Sequence, residues 1–199
     1  MQKAIATIPS FVAERTTDFS HRRSILLIVG ASALIALSAQ IAVPVPMSPV
    51  PMSLQPLAIL LVGATLGSRR GAASVVLYLL EGAAGLPVFA LGKAGLIWMI
   101  AGPTAGYLLA FPAAAFLVGW LSERGLMRTV PGTMLAMIAG IATIHLAGWT
   151  WLAVGVGLGP SIAFFSGTMP FLFGDAIKIA IAVAVVPAAH RFIDRTDPQ

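Results

Sequence analysis

The chain contains no cysteine and very little charge: of its 199 residues, 10% are Asp, Glu, Lys or Arg, while 58% are hydrophobic. Without cysteine there is neither a disulfide nor a thiolate metal ligand, and nothing points to a redox compartment. A soluble domain carries about 25% charged residues, so the shortage of charge excludes a water-exposed globule. A mean hydropathy of +0.95 agrees, and the composition is that of an integral membrane protein. Nucleotide chemistry is missing too. Gly92-Lys93 looks like the end of a phosphate loop, but Pro87 stands where the first glycine is required and Ala94 replaces the Ser or Thr. No nucleophile or metal set accompanies the remaining polar residues, so catalytic and metal roles are assigned to none. Uphill transport by such a chain needs a partner or an ion gradient.

What is present is long apolar runs. A bilayer core about 30 Å thick needs about 20 helical residues per crossing, so a chain of this length allows about six. Ser24 to Val43 reads as the first span. Gln55 to Gly67 and Gly71 to Gly82 are two shorter runs separated by Ser68-Arg69-Arg70. Pro103 to Ser122, Pro131 to Gly157 and Met169 to His190 complete the set. Between the first two runs lies a tandem pentapeptide, Pro44-Val45-Pro46-Met47-Ser48 and Pro49-Val50-Pro51-Met52-Ser53. Its four prolines forbid helix and favour an extended loop. It is apolar enough to lie on the bundle as a lid, because irregular backbone at membrane depth needs protein cover. The expected architecture is one all-α, polytopic membrane domain of six transmembrane helices over residues 24–192. A segment 1–23 precedes it and a tail 193–199 follows.

The net charge of +5 does not indicate nucleic acid, because the basic residues fall in short clusters between apolar runs. They act as topology signals. With the N-terminus cytoplasmic, every Lys and Arg except Lys93 and Lys178 falls on the cytoplasmic side or its flanks, a strong positive-inside asymmetry. Both terminal segments are then cytoplasmic. Segment 1–23 is not read as a cleaved signal peptide, because Pro9 interrupts its apolar part and charge follows in place of a cleavage site. The proline repeat, the loop from Gly85 to Gly102 and the connection from Gly157 to Thr168 become extracytoplasmic loops covering an outward-facing pocket.

Asp175 and Lys178 sit inside the last apolar run, three residues apart and so on one helix face. At membrane depth each charge costs roughly 2.5–3.5 kcal/mol, and such residues are functional by default. The pair suits a small polar ligand whose N–H donors meet Asp175 and whose carboxylate meets Lys178; the alternative is an internal salt bridge that lets the helix insert. Glu81, at the outer end of the third run, either joins this site or simply reaches the interface. His145, between Ile144 and Leu146, is read as a packing histidine. Trp149 and Trp151 are either interfacial anchors or pocket walls.

Several motifs recur in order in one known family. They are Val50-Pro51-Met52-Ser53-Leu54-Gln55, Leu77-Tyr78-Leu79-Leu80, Gly85-Leu86-Pro87-Val88-Phe89, Gly102-Pro103-Thr104-Ala105-Gly106-Tyr107-Leu108, and Gly174-Asp175 with Lys178. Over about residues 25–190 the chain resembles the BioY family, the biotin-binding substrate components (S components) of energy-coupling-factor transporters. The resemblance implies six helices, an outward biotin pocket closed by the loop after the first helix, and no enzymatic activity or cofactor. It implies Asp175 at the ureido ring and Lys178 in the same polar cluster near the carboxylate, with Glu81, Lys93, Tyr107, Phe89 and Gln55 as further ligand-binding residues. It also implies a coupling membrane protein (EcfT) and two ATPase subunits in the cytoplasmic membrane of a prokaryote. Ser32 and Ala36 are the small-residue candidates for the partner-contact face. Two rival expectations stand beside it: an S component for thiamine or riboflavin, and an intramembrane acid–base enzyme using Glu81, His145 and Asp175.

Overall fold

The computed structural model describes the backbone of residues 10–196 and the side chains of residues 21–187; residues 1–9 and 197–199 of the two terminal segments lie outside the described residues. The order is α1 (Ser10–Gln40), a strand pair β1 (Ala42–Val43) and β2 (Met52–Ser53), then α2 (Gln55–Ala83), α3 (Leu96–Ala101), α4 (Ala105–Glu123), α5 (Val130–Thr150), α6 (Pro160–Gly167) and α7 (Leu172–Thr196). Four stretches are long and apolar enough to cross a bilayer: His21–Gln40, Ala105–Glu123, Val130–Gly155 and Pro160–Pro187. A total of six fits if α2 supplies two more, since it is two helices joined end to end. Gly67 breaks it with φ 81° and ψ 176°, a left-handed setting that glycine adopts without Cβ strain.

The break is a reversal of direction. A Cβ on Gly71 would lie 2.8 Å from the Gly63 Cα, although eight residues of continuous helix span about 12 Å. The arms 55–66 and 68–83 therefore run antiparallel. At roughly 1.5 Å per residue they measure about 18 and 24 Å, short for a crossing, and their neighbours cover them. Glycine lets those neighbours come close: a Cβ on Gly63 would strike the Ala115 carbonyl of α4, and one on Gly119 would lie 2.5 Å from Ser68 N and 2.6 Å from Gly67 C. Backbone approach through small residues is how helices associate where lipid removes the hydrophobic drive. At the turn, the Glu123 carboxylate accepts from Ser68 N at 2.7 Å and from Ser68 Oγ at 3.0 and 2.9 Å. It thereby caps the second arm and ties α4 to the hairpin.

Three boundaries differ from the sequence reading. Helix α1 begins at Ser10 instead of Ser24, since nothing between Pro9 and Gln40 breaks a helix; it ends at Gln40, and Ala42–Val43 is strand. The strand pair is antiparallel, with Ala42 opposite Ser53 and Val43 opposite Met52, so the proline repeat is the tip of a hairpin. The segments read as the second and third loops contain the short helices α3 and α6, and α5 ends in a wide π turn at Trp151–Gly155. Trp151 donates to the Gly102 carbonyl at 2.9 Å and Trp149 to that of Pro160 at 3.0 Å, so both tryptophans anchor connections.

The end of α1, both outer ends of the α2 hairpin and the starts of α4 and α7 meet at one end of the bundle, where the loops lie. The Gly67 turn and the end of α4 occupy the other. Placing a methyl group at Gly119 against fixed backbone should cost about 1–3 kcal/mol by overpacking. Gly119→Ala is accordingly expected to lower the thermal unfolding midpoint in detergent. Gly30→Ala, whose Cβ meets nothing within 4 Å, should leave it unchanged.

Candidate functional site

At the loop end the helices enclose a cavity of about 140 Å³. Its walls are apolar: Phe89, Trp98, Leu108, Phe111, Ile141, Ile144 and Phe171, roofed by Pro49, Val50 and Pro51 of the hairpin tip. Val50 is buried, held where Ser48 Oγ accepts from its N–H at 3.1 Å and donates to its carbonyl at 3.0 Å. The base of the hairpin rests on α7, with Met52 Sδ 3.0 Å from where a Gly174 Cβ would stand.

The polar group of this cavity sits on its α7 wall. Asp175 lies in the first turn of α7, where the helix dipole favours a carboxylate. Lys178, one turn on, donates to Asp175 Oδ1 at 2.9 Å, and His145 Nε2 of α5 lies 2.6 Å from Oδ2. Asp175 and Lys178 are only 4% and 6% exposed. The ammonium has three donors and spends one on Asp175; the other two meet no acceptor among the described residues. Two further polar atoms on the wall are buried without partners, Thr104 Oγ1 and His145 Nδ1. Buried polar atoms are almost always paired, so these atoms and the spare Lys178 donors set this end of the cavity apart from its apolar walls.

The opposite wall is held by a relay. Gln55 Nε2 donates to the Tyr78 hydroxyl at 2.8 Å, and Tyr78 donates to the Val88 carbonyl at 3.1 Å. That leaves Gln55 Oε1 with no donor among the described residues. The same contact folds the glycine-rich loop back over the hairpin. Phe89 packs edge-on against Tyr78 at 5.6 Å between centroids, and its ring occupies the space that a Gly82 side chain would need. Gln40 Nε2, at the end of α1, reaches the carbonyls of residues 87–89. Tyr107 donates to the Gly167 carbonyl at 2.6 Å and fixes α4 to α6. Lys93 lines the cavity yet is exposed, so it stands at the rim, its ammonium 5.1 Å from the Trp98 ring centre.

Asp175, Lys178, Lys93, Tyr107, Phe89 and Gln55 are thus brought together around one cavity. Glu81 is not. It faces α1, where it accepts from Ser32 Oγ at 2.6 Å. Ser32 is corrected by the same contact: it is fully buried, not on a free partner-facing surface, because a hydroxyl among apolar helices needs an acceptor. Ala36 is half-buried against the core. The residue that sequence reasoning undervalued is His145. A lone histidine in an apolar run looks like packing, and only the crossing of α5 with α7 puts it on Asp175.

The sequence model of the BioY family matches residues 12–195. Over 170 residues the chain is 40% identical to the biotin transporter BioY of Rhizobium etli, covering 82% of this chain and 90% of that one. The chain belongs to the BioY family. It is also 42% identical over 153 residues to the probable biotin transporter BioY of Pyrococcus horikoshii, covering 77% of this chain and 87% of that one. Its fold is similar to the crystal structure of the S-component for biotin from an ECF-type ABC transporter, with a TM-score of 0.78 over 86% of this chain and 93% of that one at 24% identity. This BioY-family chain has its cavity at the loop end, with a buried acid, base and histidine on its wall.

Breaking a buried ion pair by removing one partner costs roughly 3–5 kcal/mol, because it strands the other charge. Lys178→Met is therefore expected to lower the unfolding midpoint more than the double variant Asp175→Asn, Lys178→Met. A thermal-unfolding double-mutant cycle measures this; equal midpoints for wild type and Lys178→Met would show that the pair contributes nothing.

Proposed function

We propose that the chain is the biotin-binding component of a vitamin-uptake transporter, taking biotin from the extracytoplasmic side and passing it inward with an ATP-driven coupling module. The observation that carries the proposal is the buried Asp175–Lys178–His145 cluster in an otherwise apolar cavity, in a chain whose relatives are named biotin transporters. Biotin is a compact apolar bicycle with a neutral ureido group at one end and a carboxylate on a flexible tail. A ureido group offers two N–H donors and one carbonyl acceptor. Asp175 supplies the acceptor and Lys178 the donor, with Gln55 Oε1 as a further partner. The ligand's carboxylate, placed beside Asp175, would meet like charge; at the rim it meets Lys93. The deep cluster therefore takes the ureido ring and Lys93 takes the tail.

Phe89, Tyr107, Trp98 and Phe171 provide the apolar walls, and the hairpin tip closes the cavity. A cationic thiamine would be repelled by Lys178, and a flavin would want more aromatic wall. An acid–base enzyme loses its third group, because Glu81 is committed to Ser32 outside the cavity.

The orientation follows from charge. Arg69, Arg70, Arg124 and Arg128 lie at the end opposite the cavity, and positive-inside bias makes that end cytoplasmic. The domain of residues 24–192 then sits in the cytoplasmic membrane of a prokaryote, with segments 1–23 and 193–199 inside and the cavity facing out. A coupling membrane protein with two ATPase subunits, docking on α1, would meet exposed Leu26, Leu34 and Leu37 in place of Ser32.

Charge-assisted hydrogen bonds contribute about 1.5–3 kcal/mol, or about 10- to 100-fold in affinity. Asp175→Asn and Lys178→Ala should each weaken retention of labelled biotin by that factor, and Lys93→Ala by less. Wild-type retention in both buried variants would sink the proposal, as would displacement of biotin by thiamine or riboflavin at equal concentration. For orientation, Ala84→Cys in intact cells should react with a membrane-impermeant maleimide, and Arg128→Cys only after permeabilisation; the reverse pattern would invert the topology.

A further inference from the structure

At the end of the bundle opposite the cavity, a groove of about 580 Å³ runs between the Gly67 turn and α4, lined by Leu66, Ser68, Arg69, Arg70, Phe116, Trp120 and Glu123. Its chemistry is graded along its length. Phe116 and Trp120 of α4 and Arg124 at its C-cap are spaced four residues apart along one face, covering about 12 Å. The gradient passes from a half-exposed phenylalanine to a tryptophan to an arginine whose guanidinium lies 3.5 Å from the Trp120 ring centre. Apolar depth, an indole and then a cation is the profile of one lipid leaflet from chain to headgroup.

Across the groove, Arg69 and Arg70 are exposed, and neither is ion-paired with a carboxylate among the described residues. The nearby carboxylate, Glu123, is turned onto the N–H and hydroxyl of Ser68. The two arginines also stand in the first turn of the arm 68–83, where a helix dipole disfavours cations. An anion bound between them would relieve that arrangement.

We infer that this groove is a binding site for an anionic phospholipid, with the phosphate at Arg69 and Arg70, the glycerol region at Trp120 and an acyl chain along Phe116 and Leu66. A net-negative headgroup fits better than a zwitterionic one, whose terminal ammonium would be placed against Arg69 and Arg70. Basic pockets between helices at the membrane surface bind such headgroups. The site needs only that α4 spans the bilayer, and it is independent of what the cavity at the other end holds.

The test is thermal unfolding of the full chain in a neutral detergent with added dioleoyl phosphatidylglycerol, dioleoyl phosphatidylcholine or inorganic phosphate. Phosphatidylglycerol is expected to raise the wild-type midpoint by about 2–4 °C, while phosphatidylcholine and inorganic phosphate leave it in place. The double variant Arg69→Gln, Arg70→Gln should lose most of the shift, and so should Arg70→Gln by a smaller margin. Arg128→Gln, one charge fewer at the same end but outside the groove, should keep it. Native mass spectrometry should find phosphatidylglycerol on the wild type and not on the double variant. Equal shifts in all variants would mean general charge attraction, and a shift with inorganic phosphate would mean a plain anion site. A phosphatidylcholine shift of the same size, or no shift with phosphatidylglycerol, would leave the groove to some other occupant. Any of these outcomes overturns the inference.

Discussion

A carboxylate and an ammonium buried at membrane depth are tolerated only if each satisfies the other and little water reaches them. That constraint runs through the structure. Asp175 is placed at the start of α7, where the helix dipole favours it, and it is held on both oxygens by Lys178 and His145. The cluster is buried, with Asp175 and Lys178 only 4% and 6% exposed, which strengthens its electrostatics and raises the cost of leaving any member unpaired. Two further polar atoms of cavity-lining residues, Thr104 Oγ1 and His145 Nδ1, are buried without partners among the described residues.

Holding such a cavity open at one end requires a stiff frame at the other. The frame is a helical hairpin too short to stand alone, locked by glycine. Gly67 allows the reversal, Gly63 and Gly71 allow its arms to touch, and Gly119 lets α4 lie against the turn. Glu123 then caps the returning arm. At the cavity end the same hairpin presents Gln55 and Tyr78, whose relay fixes the loop that carries Phe89 and Lys93. Frame and pocket are thus two ends of one pair of helices, so a packing change at Gly119 should be felt at Gln55 through rigid elements.

The two ends also divide the charge. The loop end keeps Lys93 at the rim and Lys178 in the wall, while arginines gather at the Gly67 turn and after α4. A carboxylate that could have neutralised Arg69 and Arg70 is drawn inward to Ser68, leaving that surface cationic in a chain with little charge to spare. Ser32 illustrates the opposite economy: its hydroxyl is spent on Glu81 inside the α1–α2 contact, and the outer face of α1 is left to leucines.

Much of this was legible in the residues. Apolar runs, glycines and prolines are local signals, so the helical membrane class, the break near residues 67–70, the non-helical repeat and the motifs shared with the BioY family could be read directly. The intramembrane charges of Asp175 and Lys178 announce a site because their cost at membrane depth does not depend on the fold. Short helices such as α3 and α6 escaped notice because glycine-rich connections and one- or two-turn helices look alike in composition. Which polar residues meet was a matter for tertiary structure alone. Residue 145 lies thirty positions from residue 175, and whether a histidine faces a carboxylate, or a glutamate faces a serine, depends on how two helices cross and rotate. Burial and small-residue packing set that angle, and no local periodicity encodes it.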